Sequence, residues 1–161
     1  MVPLRMTYYS LAYCFLSYCI CVWGGVAKYL LQPLVVLQKR MVRVITHSHY
    51  LEHTPPLFKE QRMLTLMNIY KLSLAKMFHK IYSKKIEKPS NLINLNQLHN
   101  HNTRLSKANN YHTTFSKSKL GQTTYSTAGL KVWRTIPDTV KSLPDGLFIN
   151  KLKDMFLEQQ E

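Results

Sequence analysis

The sequence predicts an all-α fold, an irregular assembly of about four to five helices joined by long polar linkers. Apolar residues recur at the three- and four-residue spacing of a buried helix face in three stretches, at residues 29–50, 65–85 and 147–157. Prolines and helix-capping residues stand near the ends of these stretches. A chain of 161 residues can bury one modest core, so a single domain or a piece of a larger one is expected.

Composition divides the chain into three regions. We expect residues 1–88 to form a helical region, residues 89–124 a polar, partly disordered linker, and residues 125–161 a C-terminal helical extension. The linker is rich in Asn, His, Ser, Thr and Lys, so it can bury little apolar surface.

The stretch at residues 29–50 predicts a core helix with a positively charged back. Its apolar face is expected to consist of Leu34, Leu37, Met41 and Ile45, widened by Leu30, Val35 and Val42. Its basic residues on or beside the opposite face are Lys39, Arg40, Arg43 and His47. The helix is therefore expected to turn one side to the core and the other to an anionic partner.

The run at residues 6–27 contains no charged side chain. Its length suits a membrane-spanning helix, and the cations that follow would then place the remainder in the cytoplasm. Tyrosines and hydroxyl residues dilute the run, however, and Gly24 and Gly25 indicate a helix end within it. A buried helix is the preferred interpretation, and a membrane span or membrane association through residues 6–27 is the alternative.

All three cysteines, Cys14, Cys19 and Cys21, lie in this run. None is left elsewhere to close a long loop, which favours reduced, buried thiols and an intracellular setting, in the cytoplasm or the nucleus, over a disulfide framework. The spacing C-x4-C-x-C has no second pair, so a zinc site is not expected.

The charge balance indicates a polyanionic partner. Lys and Arg number 22 against 8 Asp and Glu, a formal net charge of +14. Nucleic acid and an anionic membrane surface both fit this charge, and a fragment whose charge is offset by missing parts is the simpler alternative. In the polar region, cations alternate with aromatic residues, a pattern that suits single-stranded or irregular RNA unless the aromatic rings turn to the core. These residues are Arg104, Lys107, Lys117 and Lys119, with Tyr111, Phe115 and Tyr125.

The sequence lacks the residue patterns of common catalytic sites. Its eight carboxylates include no Asp-Asp or Asp-x-Asp pair for two-metal catalysis, and no phosphate-binding glycine loop or G-x-S-x-G motif occurs. His47, His49 and His53 form H-x-H-x3-H, but no fourth ligand is evident nearby. We therefore expect no catalytic residues, no bound metal and no cofactor.

Five sequence blocks, taken in order, resemble the region that follows the catalytic palm in reverse transcriptases of non-LTR retrotransposons of the LINE type, close to the jockey-like group. The blocks are YYSLAYCFLSYCICVWGG, LVVLQKRMVRVIT, HTPPLFKEQRMLTLMNIYKL, HNHNTR and STAGLKVWRTIPDTVKS. The resemblance covers the chain from about Tyr8 to Leu157. It lies in the succession of the blocks, because each block alone is short.

This resemblance implies that residues 1–88 form a thumb-like helical segment that packs beside a polymerase core and helps to hold template and primer. Lys39, Arg40 and Arg43 would face nucleic acid or the palm, and Arg104 would belong to a template-contacting or structural loop. The fingers and the palm with its Asp-Asp motif lie upstream in the family.

The expectation is therefore a truncated, non-catalytic remnant of an RNA-directed DNA polymerase that binds RNA or DNA weakly and without sequence preference. The alternatives are a small single-span membrane protein with a basic cytoplasmic tail and a fragment without autonomous function.

Overall fold

The computed structural model describes residues 2–90, 92–94, 111–113 and 116–159, and these residues are mostly helical. The helices are α1 (Val2–Thr7), a π-helical turn (Tyr8–Ala12), α2 (Tyr13–Ser17), α3 (Ile20–Trp23), α4 (Lys28–Thr46), α5 (Thr54–Glu60), α6 (Leu66–Tyr82), α7 (Lys119–Thr123), α8 (Tyr125–Thr135), α9 (Asp138–Lys141) and α10 (Asp145–Glu158). The predicted all-α class is confirmed.

The chain folds into two compact units. The first unit comprises Met1–Ser73 and Asn150–Glu161, and the second comprises Leu74–Ile149. These boundaries follow spatial contacts, whereas the division at residues 88 and 124 follows composition and stays a prediction.

The core of the first unit joins the π-helical turn to α4, α5 and the segment that follows α5. Its buried cluster consists of Tyr8, Val42, Ile45, Leu57, Phe58 and Met63. Pro55 and Pro56 fall in the first turn of α5, where a missing backbone N–H costs no helical hydrogen bond. This placement starts α5 where Leu57 and Phe58 can turn inward.

The buried face of α4 differs from the predicted face. Val42 and Ile45 are buried as expected, but Leu37 and Met41 keep 46% and 38% of their surface exposed. Gln38 takes a central buried position, at 1% exposure. The prediction failed because it assigned the core to apolar residues alone, and a glutamine with complete hydrogen bonding can occupy it instead.

Gln38 satisfies three polar groups inside the first unit. Its Oε1 accepts a hydrogen bond from the backbone N–H of Leu66 at 2.8 Å, which is a first-turn donor of α6 with no partner within the helix. Its Nε2 donates to the Leu64 carbonyl and to the Tyr8 hydroxyl, both at 2.9 Å. Burial raises the pKa of Tyr8 to about 12, against a smaller lowering by the Gln38 hydrogen bond, so this hydroxyl keeps its proton at neutral pH.

The run at residues 6–27 does not form the single buried helix that was expected. Helix continues from α1 through the π-helical turn and α2 as far as Ser17. It breaks at Tyr18, which is extended, and at Cys19, which is in the left-handed region at φ 48°, and it resumes in α3. Within the described ranges, no helix combines the length and the apolar character needed to cross a membrane.

The prediction of buried thiols in this run is wrong. Cys14 and Cys19 are exposed and Cys21 is partly exposed, and all three are free. The core takes Tyr8, Leu16 and Ile20 from this run instead of the cysteines. Phe15 and Val22 also lie outward, with 79% and 80% of their surface exposed.

The core of the second unit is aromatic. Trp133 of α8 lies with Phe78 of α6 and Phe148 of α10, at ring-centroid distances of 6.2 Å from each. Gly129 of α8 lets that helix approach Phe78, because a Cβ atom built there would stand 2.3 Å from the ring. These three rings are at most 1% exposed.

Two short strands complete the second unit and lie inside the predicted linker. β1 (Leu92–Asn94) pairs antiparallel with β2 (Tyr111–Thr113), with Ile93 opposite His112. Leu92 and Tyr111 are buried, and the Tyr111 ring stands edge-on to Phe78 at 6.4 Å. This strand pair was not predicted from the sequence.

Replacing Gln38 with Leu should lower the free energy of unfolding by about 2–4 kcal/mol. The change leaves the buried hydrogen-bond partners of Gln38 unsatisfied, and each unsatisfied group costs about 1–3 kcal/mol. Urea denaturation followed by circular dichroism measures the change. Gln32→Leu is the matched control, because Gln32 is exposed on the same helix and should change stability by less than about 0.5 kcal/mol. Equal effects of the two changes would contradict the central role of Gln38.

Candidate nucleic-acid interface

Helix α4 presents cations on the side that faces away from the core. Burial of Gln38, Val42 and Ile45 fixes the rotation of the helix. Successive residues are rotated by about 100° around the helix axis, so Lys39 and Arg40 point away from the buried face. Both side chains are exposed, and no ion pair to either occurs within the described residues.

Lys28 and Arg43 extend this basic side of α4. Lys28, Lys39 and Arg43 fall within about 60° of one another around the helix axis, at separations of eleven and four residues. With a rise of about 1.5 Å per residue, Lys39 and Arg43 lie about 6 Å apart along the axis. Lys28, Lys39, Arg40 and Arg43 together form the basic side of α4.

Arg43 also has a structural role within the chain. Its Nε and Nη2 atoms donate to the carbonyl oxygen of Glu52 at 3.0 and 2.8 Å, and its guanidinium stands 6.0 Å from the centre of the Tyr50 ring. These contacts hold the segment that follows α4. Because the partners are a carbonyl and a ring rather than a carboxylate, the positive charge of Arg43 remains available to an anion.

The three histidines after α4 lie along the connection to α5, with His47 as the C-terminal cap of α4 and His53 as the N-terminal cap of α5. His47 ends the helix in the left-handed region at φ 54°, and the Ser48 N–H closes the last turn onto the Arg43 carbonyl at 3.0 Å. His49 accepts a hydrogen bond from the Leu51 N–H at 3.3 Å. Among the residues with described positions, no group of three or more His, Cys, Asp or Glu is arranged to hold a metal ion.

The second predicted set of cations and aromatic residues is only partly described. Arg104 lies outside the described residues, as do Lys107 and Phe115. Lys117 is exposed, whereas Tyr111 is buried, and burial raises the pKa of its hydroxyl. Tyr111 thus belongs to the core and cannot stack on a base. For this residue the alternative holds, in which the aromatic ring turns to the core.

A buried histidine cluster in the second unit was missed from the sequence. His79 is 4% exposed, its Nδ1 lies 3.1 Å from Asp145 Oδ1, and its Nε2 lies 2.9 Å from the Leu143 carbonyl. Phe148 stacks on the ring at 4.0 Å. Both ring nitrogens face acceptors, so the histidine fastens α6 to the start of α10 within this unit and leaves no nitrogen free for catalysis.

Asp145 has a lowered pKa because Lys85 forms an ion pair and a hydrogen bond with its carboxylate and His79 adds a second favourable contact. A lowered pKa in the folded state means that the contribution of Asp145 to stability is complete above the usual carboxyl pKa. It is then lost as the pH falls through the lower value of the folded state. No single sequence motif predicts this cluster, because Lys85 and Asp145 are 60 residues apart in the sequence.

Asp145→Asn should lower the free energy of unfolding at pH 7, and the difference from the original chain should shrink as the pH falls below the usual carboxyl range. Urea denaturation at pH 7, 4 and 3 measures the difference. Glu87→Gln is the control, since Glu87 is exposed and has no ion pair within the described ranges. A pH-independent difference for Asp145→Asn would show that its ion pair is not the cause.

Comparisons of the chain with protein-family models, with curated proteins and with solved structures found no match. The candidate interface thus depends on the geometry and charge of α4.

Proposed function

We propose that the chain is the thumb-like and post-palm part of a non-LTR retrotransposon reverse transcriptase, non-catalytic by itself, which binds RNA or DNA weakly and without sequence preference. One structural observation supports the binding function most directly. Lys39 and Arg40 project from α4 as exposed cations without carboxylate partners among the described residues. The ordered succession of sequence blocks supports the family assignment.

Phosphate groups are the ligand that the basic side of α4 fits best. An exposed Lys or Arg that neutralises a phosphate releases counterions from the strand, and this release provides most of non-specific affinity. The excess of basic over acidic residues also attracts a polyanion over a distance before contact. Arg43 is held by the carbonyl of Glu52, which places one cation of this side in a defined position.

The same geometry accounts for weak sequence preference. Contacts to phosphate position a strand but carry no base information, and direct reading of bases requires polar groups that reach base edges. The basic side of α4 has cations along one helix, and Tyr111 is removed from solvent. Affinity is therefore expected to depend on salt far more than on sequence.

The remaining assignments follow from the family proposal. Residues 1–88 would be the thumb-like region, residues 89–124 a linker and residues 125–161 an extension, with Arg104 as a further contact to the template. The absence of Asp-Asp and Asp-x-Asp pairs from the sequence supports a chain without polymerase activity of its own. A nucleic-acid ligand favours an intracellular setting, in the cytoplasm or the nucleus.

Changing both Lys39 and Arg40 to Gln should weaken binding of a single-stranded RNA 20-mer about tenfold at moderate salt. The slope of log affinity against log salt should fall by about 1.4, roughly 0.7 for each phosphate that the chain no longer neutralises. Fluorescence anisotropy at several salt concentrations measures both quantities.

The matched control is the double change Lys131→Gln and Lys151→Gln, which removes the same charge from two exposed positions on other helices. It should reduce affinity by less than the α4 pair. Equal losses from both pairs would mean that net charge alone binds the strand, and no loss from the α4 pair would remove α4 from the interface.

A further inference from the structure

The first unit contains a pocket of about 510 Å³ that has no role in the interface on α4. Small-molecule sites in proteins have volumes of roughly 300–1,000 Å³, so the pocket has room for one small ligand. Its walls come from the N-terminal helices, the segment after α5 and the C-terminal half of α10. These segments all belong to the first unit.

The π-helical turn directs two tyrosines into this pocket. The Tyr13 N–H bonds to the Tyr8 carbonyl, five residues back, and the wider turn shifts the register of the side chains. Tyr8 then enters the core at 5% exposure, while Tyr9 and Tyr13 line the pocket with ring centroids 5.4 Å apart. Single π-helical turns often occur at functional sites.

One face of α10 forms the opposite wall. Asn150, Lys153, Asp154 and Leu157 follow the i, i+3, i+4, i+7 spacing that places side chains on one side of a helix. Three of these residues are polar and exposed enough to reach a ligand, and Leu157 is buried at 9% exposure.

The pocket carries two positive charges that no carboxylate among the described residues offsets. Arg62 Nη2 bonds Asp154 Oδ1 at 2.6 Å, so this pair is neutral overall. The Arg5 guanidinium stands 5.9 Å from the centre of the Tyr9 ring, a contact that holds the group without neutralising it. Lys153 makes no ion pair within the described residues. A dianionic group would balance Arg5 and Lys153.

The remaining groups suit an aromatic ring with polar edges. Tyr9 and Tyr13 offer ring surface, and buried Leu64 provides an apolar wall. Burial raises the pKa of Tyr13, so its hydroxyl keeps a proton that it can donate. The Asn150 amide both donates and accepts, as a base edge requires.

We propose that this pocket binds a nucleoside monophosphate, either free or as the phosphorylated end of a strand. The phosphate lies between Arg5 and Lys153, and the base lies against the tyrosine rings. The second carboxylate oxygen of Asp154 accepts from a sugar hydroxyl or an exocyclic amino group. This assignment does not rest on the proposed function, because it uses none of the cations of α4.

Isothermal titration of the full chain with adenosine monophosphate tests the proposal, with inorganic phosphate and adenosine as separate probes. The nucleotide should bind saturably and at least tenfold more tightly than either probe, because only it engages both the cations and the rings. Equal affinity for inorganic phosphate would overturn the proposal, since it would indicate a simple anion site.

Two variants locate the site. The double change Arg5→Gln and Lys153→Gln should weaken nucleotide binding at least tenfold, and Tyr13→Leu should weaken nucleotide binding while leaving phosphate binding unchanged. Lys39→Gln with Arg40→Gln is the control, with the same charge removed outside the pocket, and should alter nucleotide affinity less than twofold. Equal losses from the pocket pair and the control pair would contradict the site.

The source of the nucleotide is resolved with two RNA 10-mers that differ only in a 5′ phosphate. Preferential binding of the phosphorylated strand, abolished in the pocket variant, identifies a strand end as the ligand, and equal binding of both strands identifies the free nucleotide. Thermal unfolding of each variant checks that it folds. If the α4 control loses strand binding but keeps nucleotide binding, the interface and the pocket are separate sites.

Discussion

The buried side-chain amide of Gln38 is the interaction on which the first unit most depends. An amide removed from water costs free energy unless each polar atom finds a partner, and Gln38 meets this condition with Tyr8, Leu64 and Leu66. These hydrogen bonds join the N-terminal helices, α4 and the start of α6. Hydrogen bonds need defined geometry, so they fix the rotation of α4 more narrowly than apolar packing alone would.

That rotation determines which charges face solvent. Gln38 and Lys39 are neighbours in sequence, yet one is 1% exposed and the other is open to solvent. Arg43 is an intermediate case, since it holds the segment after α4 and forms no ion pair with a carboxylate in the part of the chain that the structure describes. The proposed binding of phosphates thus depends on a polar interaction inside the core, and the proposed nucleotide pocket depends on the π-helical turn that brings Tyr8 to the same network.

Helical spacing was sufficient to predict the long helices, because burial of one helix face leaves a regular mark on the sequence. It could not assign the buried face of α4, where a glutamine replaces an apolar residue and Leu37 is half exposed. β1 pairs with β2 through hydrogen bonds between residues that are some twenty positions apart in the sequence. Neither strand shows the alternation of apolar and polar residues by which a strand is predicted. The pocket could not be predicted from the sequence either, because Arg62 and Asp154, which form an ion pair in it, are 92 residues apart.

Lysine acetylation footprinting, read by mass spectrometry with and without saturating single-stranded RNA, tests in one experiment whether α4 binds nucleic acid. Lys39 should react readily in the free chain, because it is exposed and makes no ion pair among the described residues, and RNA should protect it several-fold. Lys131, exposed on α8, serves as the reference and should change little. An unreactive Lys39 in the free chain, or equal protection of Lys39 and Lys131, would contradict the assignment of α4 as the interface.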